Sequence, residues 1–229
     1  MTWRFRKAGI NKKGRFAVLK DIRARAGERM NAPGGESFLI RDGRGSVMFS
    51  APHCVEQWRD GKIKFAEPET GLLAEMLHLQ YRCPIIRKQT FCRDDANYDQ
   101  VCSYKQALSR YIKEHDIRCL IDLHQLASSR PEMINIGTGE GVNVGDERII
   151  EAVKSCFLQN GISSVWVDQP FKASYPHTVS AAMHRICGID CIQLEINSAL
   201  LRNDEKNEGF ARVYRSLCDC FEKLTEMRL

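Results

Sequence analysis

No stretch of the 229-residue sequence is apolar for long enough to span a bilayer. The first residues, Met-Thr-Trp-Arg-Phe-Arg-Lys, lack the apolar segment of a secretion signal, so the chain is read as cytoplasmic. Ten cysteines are present, yet no two form a C-x-x-C pair. Cys83, Cys92, Cys102 and Cys119 are scattered, and others sit inside apolar runs, which favours buried thiols in a reducing compartment over a disulfide scaffold. Cys218 and Cys220 lie two apart in a helical pattern and point to different faces. Internal repeats are absent, which excludes a solenoid. The glycine-rich Gly137-Thr138-Gly139-Glu140-Gly141 lacks the G-K-[ST] ending of a phosphate loop and reads as a rim loop.

What remains fits one α/β domain over residues 1–229, large enough to bury a full core. Charge is uneven. Residues 1–29 hold ten Lys or Arg and two acids, from totals of 34 and 29, so the net charge is +8 on this arm and −3 on the remainder. Such an arm can bind nucleic acid or a membrane surface, but it has no low complexity, and Phe16-Ala17-Val18-Leu19 suits an edge strand. The arm is therefore read as a flap on its own domain, with no membrane partner and nucleic acid disfavoured.

Patterning then alternates strand and helix. Phe38–Ile40 and Val47–Phe49 flank the turn signal Asp42-Gly43-Arg44-Gly45, as a hairpin would. Gln57 to Glu69 is a polar stretch. Thr70 suits the N-cap of a helix bearing Leu72, Leu73, Met76 and Leu77. Strands are expected at Cys83–Ile86, Cys119–His124, Met133–Ile136, Val165–Val167 and Cys191–Ile196. Helices are expected through Val101–Ile112, Glu147–Leu158, Val179–Cys187 and Phe210–Phe221. The alternation predicts an α/β layered fold, with a central mainly parallel or mixed sheet flanked by helices.

Polar residues at strand ends carry the chemistry. Val47-Met48-Phe49 runs into Ser50-Ala51-Pro52-His53, with Glu56 three residues on. Cys119-Leu120-Ile121-Asp122-Leu123 delivers His124, and Cys191–Ile196 carries Glu195 among apolar neighbours. Strand ends gather at one edge of an α/β sheet. Two histidines and a carboxylate leave a fourth zinc position for water, whose pKa the ion lowers toward neutrality. A second carboxylate, Glu195, would then pass a proton from that water to the leaving nitrogen. The competing reading of Glu195 is an ion pair with Arg202 or Lys172. His78, His115 and His184 read as structural or solvated, and His177 lies near Lys172 and Tyr175.

Together, Ser50-Ala51-Pro52-His53, Asp122-Leu123-His124, Pro170-Phe171-Lys172 with Tyr175, and Gln193-Leu194-Glu195-Ile196-Asn197 followed by Arg202 resemble the N-formylglutamate amidohydrolase family. The likeness spans about residues 46–202. It implies a zinc-exopeptidase-like fold, a metal site similar to that of zinc carboxypeptidases, and zinc-dependent cleavage of a C–N amide bond in a small N-acyl or N-formyl amino acid. It implies metal ligation by His53 and His124, a general-base role for Glu195, and substrate contacts from Lys172 and Tyr175, with Arg202 and Asn97 as further substrate positions. Asn97-Tyr98 stands where the family has Asn-Arg, and Cys54-Val55-Glu56 where it has an early glycine. The carboxylate ligand is thus left between Glu56, at carboxypeptidase-like spacing, and Glu67, ahead of the next helix. A carboxypeptidase-like peptidase and a nucleic-acid-associated protein using the basic arm are the alternatives.

Overall fold

The computed structural model describes residues 12–31, 36–202 and 208–227. The strands are β1 (Phe38–Arg41), β2 (Val47–Ala51), β3 (Gln57–Arg59), β4 (Lys62–Lys64), β5 (Ile85–Lys88), β6 (Cys119–Leu126), β7 (Ile134–Gly137), β8 (Val165–Val167) and β9 (Asp190–Asn197). Seven of them form one mixed sheet in the order β1-β5-β2-β6-β9-β7-β8, and β3 and β4 make a separate hairpin. The centre is parallel: β2 pairs with β5 and β6, and β6 with β9. β1 and β7 run antiparallel to β5 and β9.

The helices are α1 (Lys12–Met30), α2 (Pro68–Tyr81), α3 (Ser103–Glu114), α4 (Glu147–Gln159), α5 (Val179–Cys187), the single turn α6 (Ser198–Leu201) and α7 (Gly209–Glu226). They cover both faces, which is why the central strands are apolar on both. Val47, Phe49, Ile121, Leu123, Ile192 and Leu194 pack with residues of α1, α2, α4 and α7. The alternate residues Met48, Leu120 and Cys191 pack instead with α3 and α5, through Tyr104, Leu108 and Met183. Toward the C-terminal ends this second face turns polar, because alternate residues share a face. Met48 is followed by Ser50, Leu120 by Asp122 and His124, and Cys191 by Gln193 and Glu195, all eight positions being buried.

Four expectations are corrected. Phe16–Leu19 belongs to helix α1, which buries Ile22 and Ala26, one turn apart, rather than pairing as an edge strand. The first eleven residues of the basic arm lie outside the described residues. β1 and β2 are not a hairpin, since β5 lies between them. The link passes the segment that leads into β5, where Arg44 N donates to the Arg82 carbonyl at 2.7 Å, and a Cβ on Gly43 would stand 2.2 Å from Pro84 N. Thr70 is inside α2: Pro68 opens the helix, a position suited to its fixed φ, and Glu67 occupies the cap. Finally, the polar stretch after Glu56 folds as the β3–β4 hairpin. All ten cysteines are unpaired thiols, eight of them buried and Cys92 and Cys187 half-buried. Among the described residues, no helix is long and apolar enough to cross a membrane.

Candidate metal centre

β2 ends at Ala51 and the chain turns through Pro52 to His53, which is 1% exposed. The His53 carbonyl accepts from Glu67 N at 2.8 Å, which brings the head of α2 back onto the turn. Helix and turn approach closely because residue 71 is glycine: a Cβ there would lie 2.8 Å from the Cys54 Cβ. Glu67 Oε1 stands 3.3 Å from His53 Nδ1, while Oε2 stands 3.5 Å from His124 Nδ1 and accepts from Gln125 N at 2.9 Å. The two imidazoles meet edge-on, with centroids 4.7 Å apart. One ligand atom from each of His53, Glu67 and His124 lies within 4.8 Å of the others, and all three residues are buried.

The far nitrogen of each ring is held by a further carboxylate. His53 Nε2 lies 2.8 Å from Asp95 Oδ1, and His124 Nε2 lies 2.9 Å from Asp122 Oδ2. An ionised carboxylate only accepts, so these contacts keep the protons on Nε2 and turn both Nδ1 atoms toward Glu67. This donor set fits a metal ion: two imidazoles, one carboxylate, and the outer hydrogen bonds that orient such ligands.

Burial alone would raise the Glu67 carboxyl, but the charge of His53 and hydrogen bonds from both histidines hold it well below the usual carboxylate range. Asp95 is likewise raised by burial and brought far below that range by His53 and Arg59. Burial pulls His124 down, yet the charge and hydrogen bond of Asp122, joined by Glu67, raise it well above its ordinary value. Glu195 moves up: burial raises it, His124 pulls it down, and the charge of Glu67 pushes it up again.

Glu195 is buried at 8% exposure, opposite His124 in the β6–β9 register. It accepts from Gln193 Nε2 at 2.9 Å, and Gln193 Oε1 accepts from Asn97 Nδ2 at 3.2 Å. Asn97 Oδ1 accepts from Val179 N at 2.7 Å, so Asn97 joins the loop before α3 to the head of α5. Glu56 is exposed and stands outside the His53–Glu67–His124 group, because β3 carries the chain away before α2 returns it. Of the two carboxylates left open by the sequence, Glu67 is the one beside both histidines. Lys172 is exposed and pairs with Glu140 at 2.7 Å. Tyr175 is exposed and stacks on His177, with centroids 5.5 Å apart. Arg202 is exposed at the C-terminal cap of α6. His78, His115 and His184 each place Nδ1 about a hydrogen bond from a backbone carbonyl, at 2.9 Å. Asp95 and Asp122 were not singled out as functional from sequence. Asp122 carried a signal, two residues before His124 on one strand face, whereas Asp95 carried none.

No protein-family model matches the chain, and no curated protein matches it in sequence. Solved structures share its fold. The gene product Atu2144 from Agrobacterium tumefaciens aligns at a TM-score of 0.59 and 11% identity, over 89% of this chain and 99% of that one. N-formylglutamate amidohydrolase from Ralstonia eutropha JMP134 gives 0.53 and 11%, over 84% and 99%. A metallo-carboxypeptidase from Burkholderia cenocepacia gives 0.52 and 10%, over 96% and 70%. The α/β layers and the mixed sheet are thus shared with these structures as a likeness of fold.

Proposed function

We propose that the protein is a zinc-dependent hydrolase of a C–N amide bond in a small N-acyl amino acid, N-formyl derivatives included. The observation that carries this reading is the convergence of His53, Glu67 and His124, with Asp95 and Asp122 behind the two imidazoles. Zinc held by those three side chains would supply Lewis acidity and an activated water at neutral pH. Glu195, beside His124 and raised by its surroundings, takes the proton from the attacking water and returns it to the leaving nitrogen. Gln193 and Asn97 hold that carboxyl in place through a hydrogen-bond line. Lys172, Tyr175 and Arg202, all exposed, are proposed substrate contacts.

The test is metal analysis of the purified protein, followed by a panel of N-acyl amino acids and dipeptides. About one zinc per chain with turnover of the acyl amino acids is expected. Below roughly a tenth of a zinc per chain, with no uptake on reconstitution, the reading fails. Turnover of dipeptides alone selects the peptidase reading that the carboxypeptidase likeness favours.

A further inference from the structure

One basic side chain reaches the proposed centre from outside the sheet. Lys64 ends β4, and its Nζ lies 3.5 Å from His53 Nδ1 and 3.9 Å from Glu67 Oε1, with the side chain 40% exposed. It is delivered by a hairpin that turns at Asp60-Gly61, both at positive φ (51° and 75°), the conformation of a tight two-residue turn. The hairpin is docked. Arg59 holds Asp95 through Nε at 2.8 Å and Nη2 at 2.7 Å, Trp58 N donates to the Asp94 carbonyl at 3.4 Å, and Tyr98 OH donates to Asp60 at 2.9 Å. The loop that orients His53 through Asp95 therefore also fixes the strand carrying Lys64.

The two partners of Lys64 are the atoms proposed to hold the metal. His53 Nδ1 and Glu67 Oε1 would both be taken by a bound cation, and like charge would turn the ammonium away from them. The docked hairpin keeps it close. An ammonium so placed has three donors and no acceptor, and its charge also acts on Glu195. We propose that Lys64 is a catalytic residue of this hydrolase: it donates a hydrogen bond to the amide carbonyl oxygen as negative charge develops there, without giving up its proton. The inference depends on the hydrolase reading above. Its nearness to the ligand atoms, within 4 Å of two of them, favours the reacting carbonyl over a remote carboxylate of the substrate. Donors aimed at developing charge contribute roughly 10²- to 10³-fold in kcat.

The experiment compares wild type, Lys64→Met and Lys64→Arg after reconstitution with cobalt(II), whose visible spectrum reports ligand binding. Inorganic phosphate, a tetrahedral oxyanion, is the probe. Metal affinity should be equal or higher in Lys64→Met, because a neighbouring positive charge is gone. Phosphate affinity should fall about ten- to a hundredfold, the scale of one charged hydrogen bond, and recover in large part in Lys64→Arg. On substrate, kcat should fall with KM nearly unchanged. Phosphate affinity equal to wild type overturns the proposal, as does a loss confined to KM or a loss of metal in Lys64→Met. Failure of the wild type itself to bind metal is a different outcome: it removes the hydrolase reading and this one with it.

Discussion

His124 and Glu195 are register partners on neighbouring parallel strands, and both turn toward the α3–α5 side of the sheet. One is a proposed ligand and the other a proposed base, so their roles can be separated by substitution. Glu195→Gln keeps the shape and the bond to Gln193 but cannot accept a proton. Metal content should stay near wild type while kcat falls roughly 10²- to 10⁴-fold. His124→Ala should lose metal and activity together. Metal analysis beside steady-state kinetics on both variants checks the pair; loss of metal in Glu195→Gln would make Glu195 a ligand.

The outer carboxylates give a second prediction. Asp122→Asn and Asp95→Asn each replace an acceptor by a group that can also donate, which releases the proton from its fixed place on Nε2. Metal affinity should fall about 10- to 100-fold in each, the usual effect of losing such a partner. Competition against a chelator of known affinity measures it, with circular dichroism to confirm that the fold is intact.

Protonation supplies a third. Against the pull of burial, Asp122 and Glu67 raise His124 well above its ordinary 6.5, which favours the protonated ring when no metal is bound. A metal ion needs that lone pair, so uptake releases a proton and apparent affinity climbs with pH until the raised value is passed. For the metal-free protein, the stabilising contribution of His124 is complete below 6.5 and is lost as pH rises through the raised value. Glu67 and Asp95 are depressed, so their contributions are complete above the ordinary carboxylate range and are lost in acid. Thermal unfolding of chelator-stripped protein should therefore weaken on both the acid and the alkaline side. The loaded protein should lack the alkaline loss. Calorimetric titration in buffers of different ionisation enthalpy should show the released proton.

Much of this centre was legible because apolar strands advertise their ends. β6 and β9 are continuous apolar runs interrupted by Asp122, His124, Gln193 and Glu195, and a buried polar residue in such a run needs a partner. Helix α5 was bounded by Gly188, whose φ of 69° suits a helix terminus. Other features depended on distance in sequence. Asp95 reaches His53 from 42 residues away, and no spacing rule predicts that contact. Helix α1 was obscured by the short apolar run Phe16–Leu19, which reads as a strand until Ile22 and Ala26 are seen buried on one face. Two signals were present and outweighed by polarity: the Asp60-Gly61 turn of the β3–β4 hairpin, and Pro68 opening α2 behind Glu67.

Helix α2 carries Glu67 at its head and a second buried carboxylate, Glu75, two turns on, and this gives the last prediction. Glu75 accepts from Arg87 Nε at 2.9 Å, with Arg41 at 3.4 Å and Arg29 at 3.6 Å. Arg87 is 1% exposed, whereas the Arg41 and Arg29 side chains are about a third exposed and can turn to water. Glu75→Gln therefore strands one buried guanidinium. Removing one partner of a buried pair costs about 3–5 kcal/mol, because the remaining charge stays desolvated. The variant should unfold at lower urea with an unchanged slope, if α2 remains docked. Glu75→Leu combined with Arg87→Met removes both charges and should recover most of the loss, since the pair's own attraction is largely offset by its desolvation. Both unfolding curves are to be taken on metal-free protein, so that any shift of Glu67 does not enter through metal binding. A double variant no more stable than Glu75→Gln would mean that the pair contributes through its own attraction and not through the cost of breaking it.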